Sequence, residues 1–505
     1  MPASLLFLGF DSMNAALTEK WARSGYLPNF ADLQKRARAF RLENYLDALP
    51  GSIWLDIATG RGPDVHGRYY SSNQYCARNA RSHPMKKEDL DPELYVWSEA
   101  DKAGLRCAVI DQPFQVLCKP FRGVQICEFA LHDLTFGFRT WPRELAGDLE
   151  RRFGPVPLQT EVCDAFMERH SQQELHELLL RRAEIKTDLL AKLLEESWDF
   201  FFAVFAETHC GAHYHWPRED REGTEEPFGH LLEVYRKMDL ALGRLSEAAG
   251  PDAAVVVSLS HSIGPYIGGP QLLSEVLNAL GVVSGPDPPL RRSLRNLFLR
   301  GAQKLPLRFR KVLRSLAGGG TGNIERALGR NTQPFLDPAC QAATISNNRC
   351  GAIRLNVSGR DPHGRVSAED AEILSDRLQK ELLALVDPSS GNPIVAGVDR
   401  IDELFEGPRH PDLPDLIVRF RTDVGPIEAC QSESVGRIRV SLNRPGYERS
   451  GDHTPDNRTY VRAPGYAPGR SEGGHVLDIA PTLLSLSGVD PPPGMRGRPL
   501  PKRGT

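Results

Sequence analysis

Short apolar runs that alternate with amphipathic helical segments restrict the fold of this 505-residue chain more than any other feature. Residues 4–10, 200–205 and 253–259 are almost wholly apolar, as expected for strands buried on both faces. Helical periodicity over residues 170–197 and 229–249 precedes the second and third runs. This alternation predicts an α/β fold with a mostly parallel central sheet sandwiched by helices.

Other segments extend the same pattern. The sequence predicts helices over residues 18–40 (apart from a turn at 25–28) and 368–386, a helix followed by a strand over 94–113, and strands at 352–358 and 414–420. No internal repeat is visible in this order. We therefore expect one large α/β core rather than a repeat array.

A change of composition near Pro286 predicts an insertion into this core. We assign residues 1–285 and 411–505 to the core, and 286–410 to an inserted basic helical segment followed by an α/β cap region. Within residues 290–316, Lys and Arg recur among leucines without one acidic residue. Such a segment can lie on a membrane surface or face an anionic partner, but we favour the alternative of a solvated helical insertion packed on the domain.

The overall composition excludes several classes of protein. Charge is nearly balanced, with 62 basic and 65 acidic residues, which argues against nucleic-acid binding. The nine cysteines are odd in number and lack CxxC spacing, so we expect reduced thiols. No apolar run approaches the ~20 residues of a membrane span, and the N-terminal run is too short for a signal peptide. These features predict a cytoplasmic protein.

Side chains that can bind a metal follow two of the predicted strands directly. Asp11 comes after the run at residues 4–10, and His261 comes after the run at 253–259. In an open α/β sheet, ligands bind at the carboxyl ends of the strands. We therefore expect these two side chains to face one crevice.

Three further histidines can complete this site. His209 and His213 follow the run at residues 200–205 and are four apart, so one helical turn places both imidazoles on the same side. His453 lies in a Gly-Asp-His loop near the C-terminus. Such pairs and loops are common without a metal, but one Asp and four His together indicate a transition-metal site.

Several motifs resemble those of a known family. Thr59-Gly60-x-x-Pro63-x-x-His66-Gly67 matches a "TGxxPxxHG" signature at full spacing. Other similar stretches are residues 6–11, 27–33, 207–213, 258–264, 359–364, 451–453 and 478–484. On these residues the chain resembles the alkaline phosphatase superfamily, and within it the type I phosphodiesterase/nucleotide pyrophosphatase branch. The resemblance implies an alkaline-phosphatase-like core with two metals.

The resemblance also assigns metal ligands residue by residue. It implies a first site formed by His209, His213 and His453, and a second site to which Asp11 and His261 belong. The family has Asp before the histidine of its second site, where this chain has Ser260. It often has Asp at the position of His209, so the first site becomes three imidazoles, a set that suits Zn²⁺, with Mn²⁺ as the alternative. We expect one firmly bound metal and a second that is weak or absent.

The resemblance places a nucleophilic Thr or Ser on the turn before the "TG" helix. Strict spacing from Thr59 puts that position on Pro50, which cannot attack. Ser52 is the nearest hydroxyl, at the predicted helix start, where the helix end attracts phosphoryl oxygens. We therefore predict Ser52 as the catalytic residue. The alternatives are that Ser52 only caps the helix and that hydroxide held at the metal attacks.

These features together imply a metal-dependent hydrolase of phosphoesters, with phosphodiesters as the expected substrates. Small-molecule, lipid or glycan phosphoesters are the predicted partners. His132, Asp133 and Arg354 are polar candidates for the substrate pocket, and we expect each of them to be structural. Alternatives of the same fold are a sulfuric-ester hydrolase and a phosphoryl transferase. A non-catalytic relative with a decayed second metal site is an alternative of a different class, and it would bind no metal.

Overall fold

The computed structural model of the protein describes residues 3–45, 51–69, 73–79, 81–132, 134–217, 229–283, 340–345, 349–405, 407–440 and 449–502. Pro50, Asp133 and the predicted basic segment at 290–316 lie outside these residues. The chain forms two compact units. The first comprises Met1–Ser72, Met85–Gly268 and Ser441–Thr505, and the second comprises Asn73–Pro84 and Gly269–Val440.

The strands of the described residues are numbered in chain order. They are β1 (Ala3–Phe10), β2 (Arg38–Glu43), β3 (Asn73–Cys76), β4 (Arg81–Pro84), β5 (Cys107–Ile110), β6 (Gly123–Cys127), β7 (Arg139–Trp141), β8 (Trp198–Phe205), β9 (Ala254–Ser258), β10 (Ser262–Pro265), β11 (Ala342–Thr344), β12 (Gly351–Leu355), β13 (Val395–Arg400), β14 (Leu416–Phe420), β15 (Ala429–Ser432), β16 (Gly436–Arg439), β17 (Gly451–Thr454), β18 (Thr459–Arg462) and β19 (Gly469–His475).

The α-helices are numbered in the same way. They are α1 (Ala15–Arg23), α2 (Pro28–Arg36), α3 (Ile53–Thr59), α4 (Pro63–His66), α5 (Val96–Lys102), α6 (Leu145–Phe153), α7 (Cys163–Met167), α8 (Gln172–Leu193), α9 (Glu207–His215), α10 (Gly229–Ala249), α11 (Pro270–Ala279), α12 (Ala368–Leu383), α13 (Ile401–Leu404) and α14 (Ile479–Leu486).

The first unit is built on a large, mostly parallel sheet, as the sequence predicts. Its strand order is β19-β2-β18-β9-β1-β8-β5-β6-β7. The central strand β1 pairs in parallel with β8 on one side and β9 on the other. Antiparallel pairs occur where β18 lies between β2 and β9, and where β7 follows β6. The carboxyl ends of β8, β1 and β9 therefore meet at one edge of the sheet.

Both faces of the sheet are covered by apolar side chains. Along β1, Leu6 and Leu8 join a core that includes residues of α8 and α10, whereas Leu5 and Phe7 join a core that includes residues of α3 and α5. Successive side chains of a strand point to opposite faces, so this alternation places helices on both sides. The predicted fold class is confirmed.

The second unit has its own four-stranded sheet in the order β11-β12-β14-β13. It begins earlier and ends later than the predicted insertion at residues 286–410, and it takes in β14 and the hairpin of β15 and β16. Arg354, a polar candidate from the sequence, is buried there and pairs with Asp361 at 2.9 Å. These contacts stabilise the fold of the second unit, so Arg354 has a structural role.

Two sequence-based expectations are corrected. Residues 38–40 begin strand β2 rather than end a helix, because they pair with β18 and β19, which lie far along the chain. Cys163 and Cys210 form a disulfide, so the expectation of reduced thiols holds only for the other seven cysteines. That disulfide depends on packing between α7 and α9, which cysteine spacing does not reveal.

The cytoplasmic location stays a prediction. Among the described helices, none combines the length and apolar character needed to cross a membrane.

Candidate metal centre

Three neighbouring strand ends supply the candidate site. Asp11 follows β1 directly, and its amide donates to the carbonyl oxygen of Phe205 at the end of β8 at 2.8 Å. His209 lies in the first turn of α9, which follows β8, and His261 lies just after β9. Because β8, β1 and β9 are adjacent and parallel, the sheet brings these side chains together.

Direct contacts join the side chains at these strand ends. Oδ2 of Asp11 lies 2.8 Å from Nδ1 of His209. The hydroxyl of Ser12 lies 3.2 Å from the same nitrogen and 2.7 Å from Nε2 of His261. Asp11 is 4 % exposed, so this polar group is almost closed to solvent.

The other two predicted histidines complete the cluster. Nε2 of His213 lies 3.1 Å from Nε2 of His209, and Nδ1 of His453 lies 2.9 Å from Nε2 of His261. Strand β17 places His453, because it pairs antiparallel with β10. His213 donates from Nδ1 to the carbonyl oxygen of Gly451 at 2.8 Å, which leaves the lone pair on Nε2, toward His209.

This donor set fits a divalent transition metal. The ligand atoms of His209, His261 and His453 all lie within 4.8 Å of one another. Imidazole nitrogens and a carboxylate oxygen are ligands that zinc prefers in proteins. All five predicted ligands lie in one cluster. The distances alone therefore do not separate the two metal sites that the resemblance implies.

The electrostatics of the cluster suit metal binding. Burial opposes charge on Asp11, but the neighbouring His209 and hydrogen bonds from His209 and Trp54 outweigh it and lower the pKa of Asp11 below its ordinary value. Burial lowers the pKa of His213 and of His453 well below the ordinary value, and neighbouring cationic groups add to this. Asp11 is therefore anionic and these imidazoles neutral at pH 7, the protonation states in which they bind metals.

Two serines in left-handed backbone conformation shape the site. Ser12 has a φ of 59° and Ser260 a φ of 44°, which is uncommon for residues other than glycine. The amide of Ser12 lies 3.4 Å from Oγ of Ser260, which is 3.2 Å from Nδ1 of His261. Ser260 thus stands against a predicted ligand at the position where the family has Asp.

Ser52 lies at the start of α3, as the sequence predicts, but its side chain does not cap the helix. Its hydroxyl donates to Oδ2 of Asp56 at 2.8 Å, and Nε2 of His66 lies 2.9 Å from Oδ1 of the same carboxylate. The first turn of α3 reaches the candidate site through Trp54, whose indole Nε1 donates to Oδ1 of Asp11 at 2.9 Å. The helix that carries Ser52 is therefore anchored to the cluster.

Sequence reasoning missed several residues around the centre. Trp54 and Ser12 contact Asp11 directly. The sequence did single out His132, as a polar residue expected to be structural, and its ring stacks on that of His209 with centroids 4.1 Å apart. Arg449 pairs with Asp164 and lies in the loop that leads to β17. Ser12 follows a strand-end Asp, which is a usable signal, but the other contacts arise only from tertiary packing.

Two buried ion pairs support the helices behind the centre. Arg182 of α8 pairs with Glu207, the first residue of α9, at 2.8 Å, and both side chains are fully buried. Lys186 pairs with Asp111 at 2.7 Å and is also fully buried. The first pair holds the start of the helix that carries His209 and His213.

Comparisons with known proteins agree with this architecture. Residues 5–271 match the family profile described as type I phosphodiesterase / nucleotide pyrophosphatase. The fold is similar to that of wild type alkaline phosphatase PafA, with a TM-score of 0.54, 13 % identity, and 99 % of this chain and 98 % of that chain covered. The similarity to PafA supports the fold alone.

Two other solved structures are similar at lower TM-scores. Phosphonoacetate hydrolase from Sinorhizobium meliloti 1021 gives a TM-score of 0.47 at 14 % identity, with 96 % of each chain covered. Murine ectonucleotide pyrophosphatase / phosphodiesterase 5 gives 0.47 at 10 % identity, with 97 % of this chain and 96 % of that chain covered. No curated protein matches the sequence significantly.

Proposed function

The chain belongs to the type I phosphodiesterase / nucleotide pyrophosphatase family, and we propose that it hydrolyses phosphodiesters at the cluster of Asp11 and the four histidines. It is a phosphoric ester hydrolase of the alkaline phosphatase superfamily. The substrates we propose are small-molecule, lipid or glycan phosphoesters.

One observation carries the proposal. A carboxylate and four imidazoles, separated by up to 442 positions in the sequence (453 − 11), meet at the carboxyl ends of three adjacent strands. Buried polar side chains are costly unless they have partners. Their concentration at one sheet edge supports a site for a charged ligand rather than a structural network.

We propose that His209, His213, His261, His453 and Asp11 hold the metal that this family uses, with Zn²⁺ as the ion. One ion is firmly bound, and the second is weak or absent because Ser260 is a poor ligand. When bound, the metal supplies charge that stabilises the phosphoryl oxygens of the substrate.

The chain's own residues have separate roles in this proposal. The carboxylate of Asp11 is held in place by Trp54 and by Ser12, which fixes the direction of its ligand oxygens. Ser52, two residues before Trp54, is the hydroxyl that we propose acts on the phosphoryl group. In the absence of substrate its proton is directed to Asp56, a carboxylate that can accept it.

Metal analysis combined with a substrate panel tests this function. The purified chain is assayed with bis(4-nitrophenyl) phosphate, 4-nitrophenyl phosphate and 4-nitrocatechol sulfate, each with added Zn²⁺ or Mn²⁺. We expect the diester to be the best substrate. The His213→Ala variant should lose the metal of this cluster and hydrolysis together, whereas the control His170→Ala, at an exposed position of the first unit, should keep both.

Three outcomes would contradict the proposal in different ways. Faster hydrolysis of the sulfate ester would indicate a sulfatase. A preference for the monoester would contradict the diester specificity alone. Full metal content in His213→Ala would show that this histidine is not a ligand.

A further inference from the structure

A second group of histidines lies where α8, α9 and α10 meet. His176 on α8, His215 at the end of α9 and His230 near the start of α10 have ligand nitrogens within 4.8 Å of one another. The rings of His176 and His230 stack with centroids 4.4 Å apart, and the ring of His215 lies 5.1 Å from that of His230. Each helix contributes one imidazole to the group.

This group is separate from the metal centre, although both use α9. His209 and His213 are four residues apart and face the Asp11 cluster together. Two residues turn an α-helix by about 200°, so His215 points to the opposite side from His213. The helix therefore has imidazoles on two opposite faces.

Several nitrogens of this group have no hydrogen-bond partner among the described residues. Both ring nitrogens of His215 are buried and unsatisfied, and the residue is 7 % exposed. Nδ1 of His176 is also buried and unsatisfied, and that residue is 3 % exposed. Buried polar atoms of native proteins are nearly always hydrogen-bonded, so we expect these nitrogens to bind a ligand.

A carboxylate sets the protonation pattern of one member. Nε2 of His176 lies 2.6 Å from Oε2 of Glu233, which follows His230 by three residues on α10. A carboxylate can only accept, so the neutral imidazole donates from Nε2 and carries its lone pair on Nδ1, the nitrogen without a partner among the described residues. Metal-bound histidines usually donate their other nitrogen to a carboxylate in this way.

We propose that His176, His215 and His230 bind a divalent transition metal of the zinc class, in a site distinct from the catalytic cluster. Neutral imidazoles suit Zn²⁺ and Co²⁺, whereas Mg²⁺ and Ca²⁺ prefer oxygen ligands. Glu233 is a positioning residue that fixes the ring of His176. The bound ion would join three helices, and one of them carries His209 and His213.

Metal stoichiometry of the full-length chain tests this site. After chelation, Zn²⁺ and Co²⁺ are titrated back while metal content, the visible spectrum of Co²⁺ and the melting temperature are recorded. We expect His230→Gln to bind one equivalent fewer than the unmodified chain and to lose part of the rise in melting temperature. Glu233→Gln, at a half-exposed position, should raise the Kd of that equivalent about 10- to 100-fold.

Two further variants distinguish metal binding at this second site from metal binding at the catalytic cluster. His170→Gln, a control at an exposed position of the first unit, should bind as many equivalents as the unmodified chain. His213→Ala should lose hydrolysis yet keep the equivalent that His230→Gln removes. If His230→Gln and Glu233→Gln bind the same number of ions with the same affinity as the unmodified chain, the site does not exist, and the His213→Ala result still decides the proposed function.

Discussion

The indole nitrogen of Trp54 donates to Oδ1 of Asp11 at 2.9 Å, which joins the first turn of α3 to the end of β1. Gly9 makes room for this contact, since a Cβ at that position would lie 2.5 Å from the Trp54 ring. The other carboxylate oxygen of Asp11 faces Nδ1 of His209. A side chain of α3 therefore helps to fix the carboxylate at the centre of the site.

Trp54→Phe should weaken metal binding without leaving a large cavity in the apolar core. The substitution keeps most of the ring but removes the donor to Asp11, and loss of such a supporting bond typically costs about 10- to 100-fold in metal affinity or activity. Equilibrium titration with Zn²⁺ and kcat/KM for a diester measure both effects. Trp141→Phe is the matched control, because that indole donates to the carbonyl oxygen of Phe121. Equal effects from the two variants would contradict the role of Trp54.

Ser52→Ala tests which group acts on the phosphoryl centre. If the hydroxyl attacks covalently, turnover should fall at least ~10²-fold while metal content stays unchanged. A phosphorylated peptide that contains Ser52, recovered after an acid quench of the unmodified enzyme, would support covalent attack directly. Ser375→Ala removes a buried hydroxyl of the second unit and serves as control. Near-normal turnover of Ser52→Ala would indicate attack by water instead.

Ser260→Asp should increase metal occupancy from about one to two in the catalytic cluster. It restores the carboxylate that the family has before its second-site histidine, and Asp tolerates the left-handed backbone that Ser260 adopts. Ser260→Asn is the control with similar shape and no charge. Metal content in the His230→Gln background separates this effect from the proposed second histidine site. Two firmly bound ions in the cluster before substitution would contradict the expectation.

The strand-end part of the site was predictable because parallel strands place their carboxyl ends at one edge of a sheet. Asp11 and His261 follow apolar runs whose ends are readable in the sequence, and the spacing of His209 and His213 requires only one helical turn. Trp54 was not predictable as a partner of Asp11, because the contact depends on how α3 packs against β1. The pairing of Cys163 with Cys210 depends likewise on the packing of α7 near α9.

Arg182→Met should destabilise the first unit strongly. The substitution leaves the carboxylate of Glu207 buried without its partner, and removal of one member of a buried pair typically costs about 3–5 kcal/mol. The free energy of unfolding in urea measures this. Lys192→Met, on the same helix as Arg182, breaks an exposed pair with Glu195 and should cost no more than about 1 kcal/mol. Similar losses in the two variants would show that the buried pair has no special role.

Asp164→Asn should change the acid sensitivity of the chain in a defined pH range. Burial opposes charge on Asp164, but Arg449 outweighs it by its charge and hydrogen bonds, and the pKa of Asp164 falls to about 2. A carboxyl whose folded-state pKa is lowered stabilises the fold fully above its unfolded value near 3.8, and this contribution is lost as the pH falls through about 2. The difference in urea midpoint between the unmodified chain and Asp164→Asn should therefore be constant from pH 7 to about 4 and shrink below it. A difference that does not vary with pH would show that the pair with Arg449, which lies just before the strand of His453, contributes no charge-dependent stability.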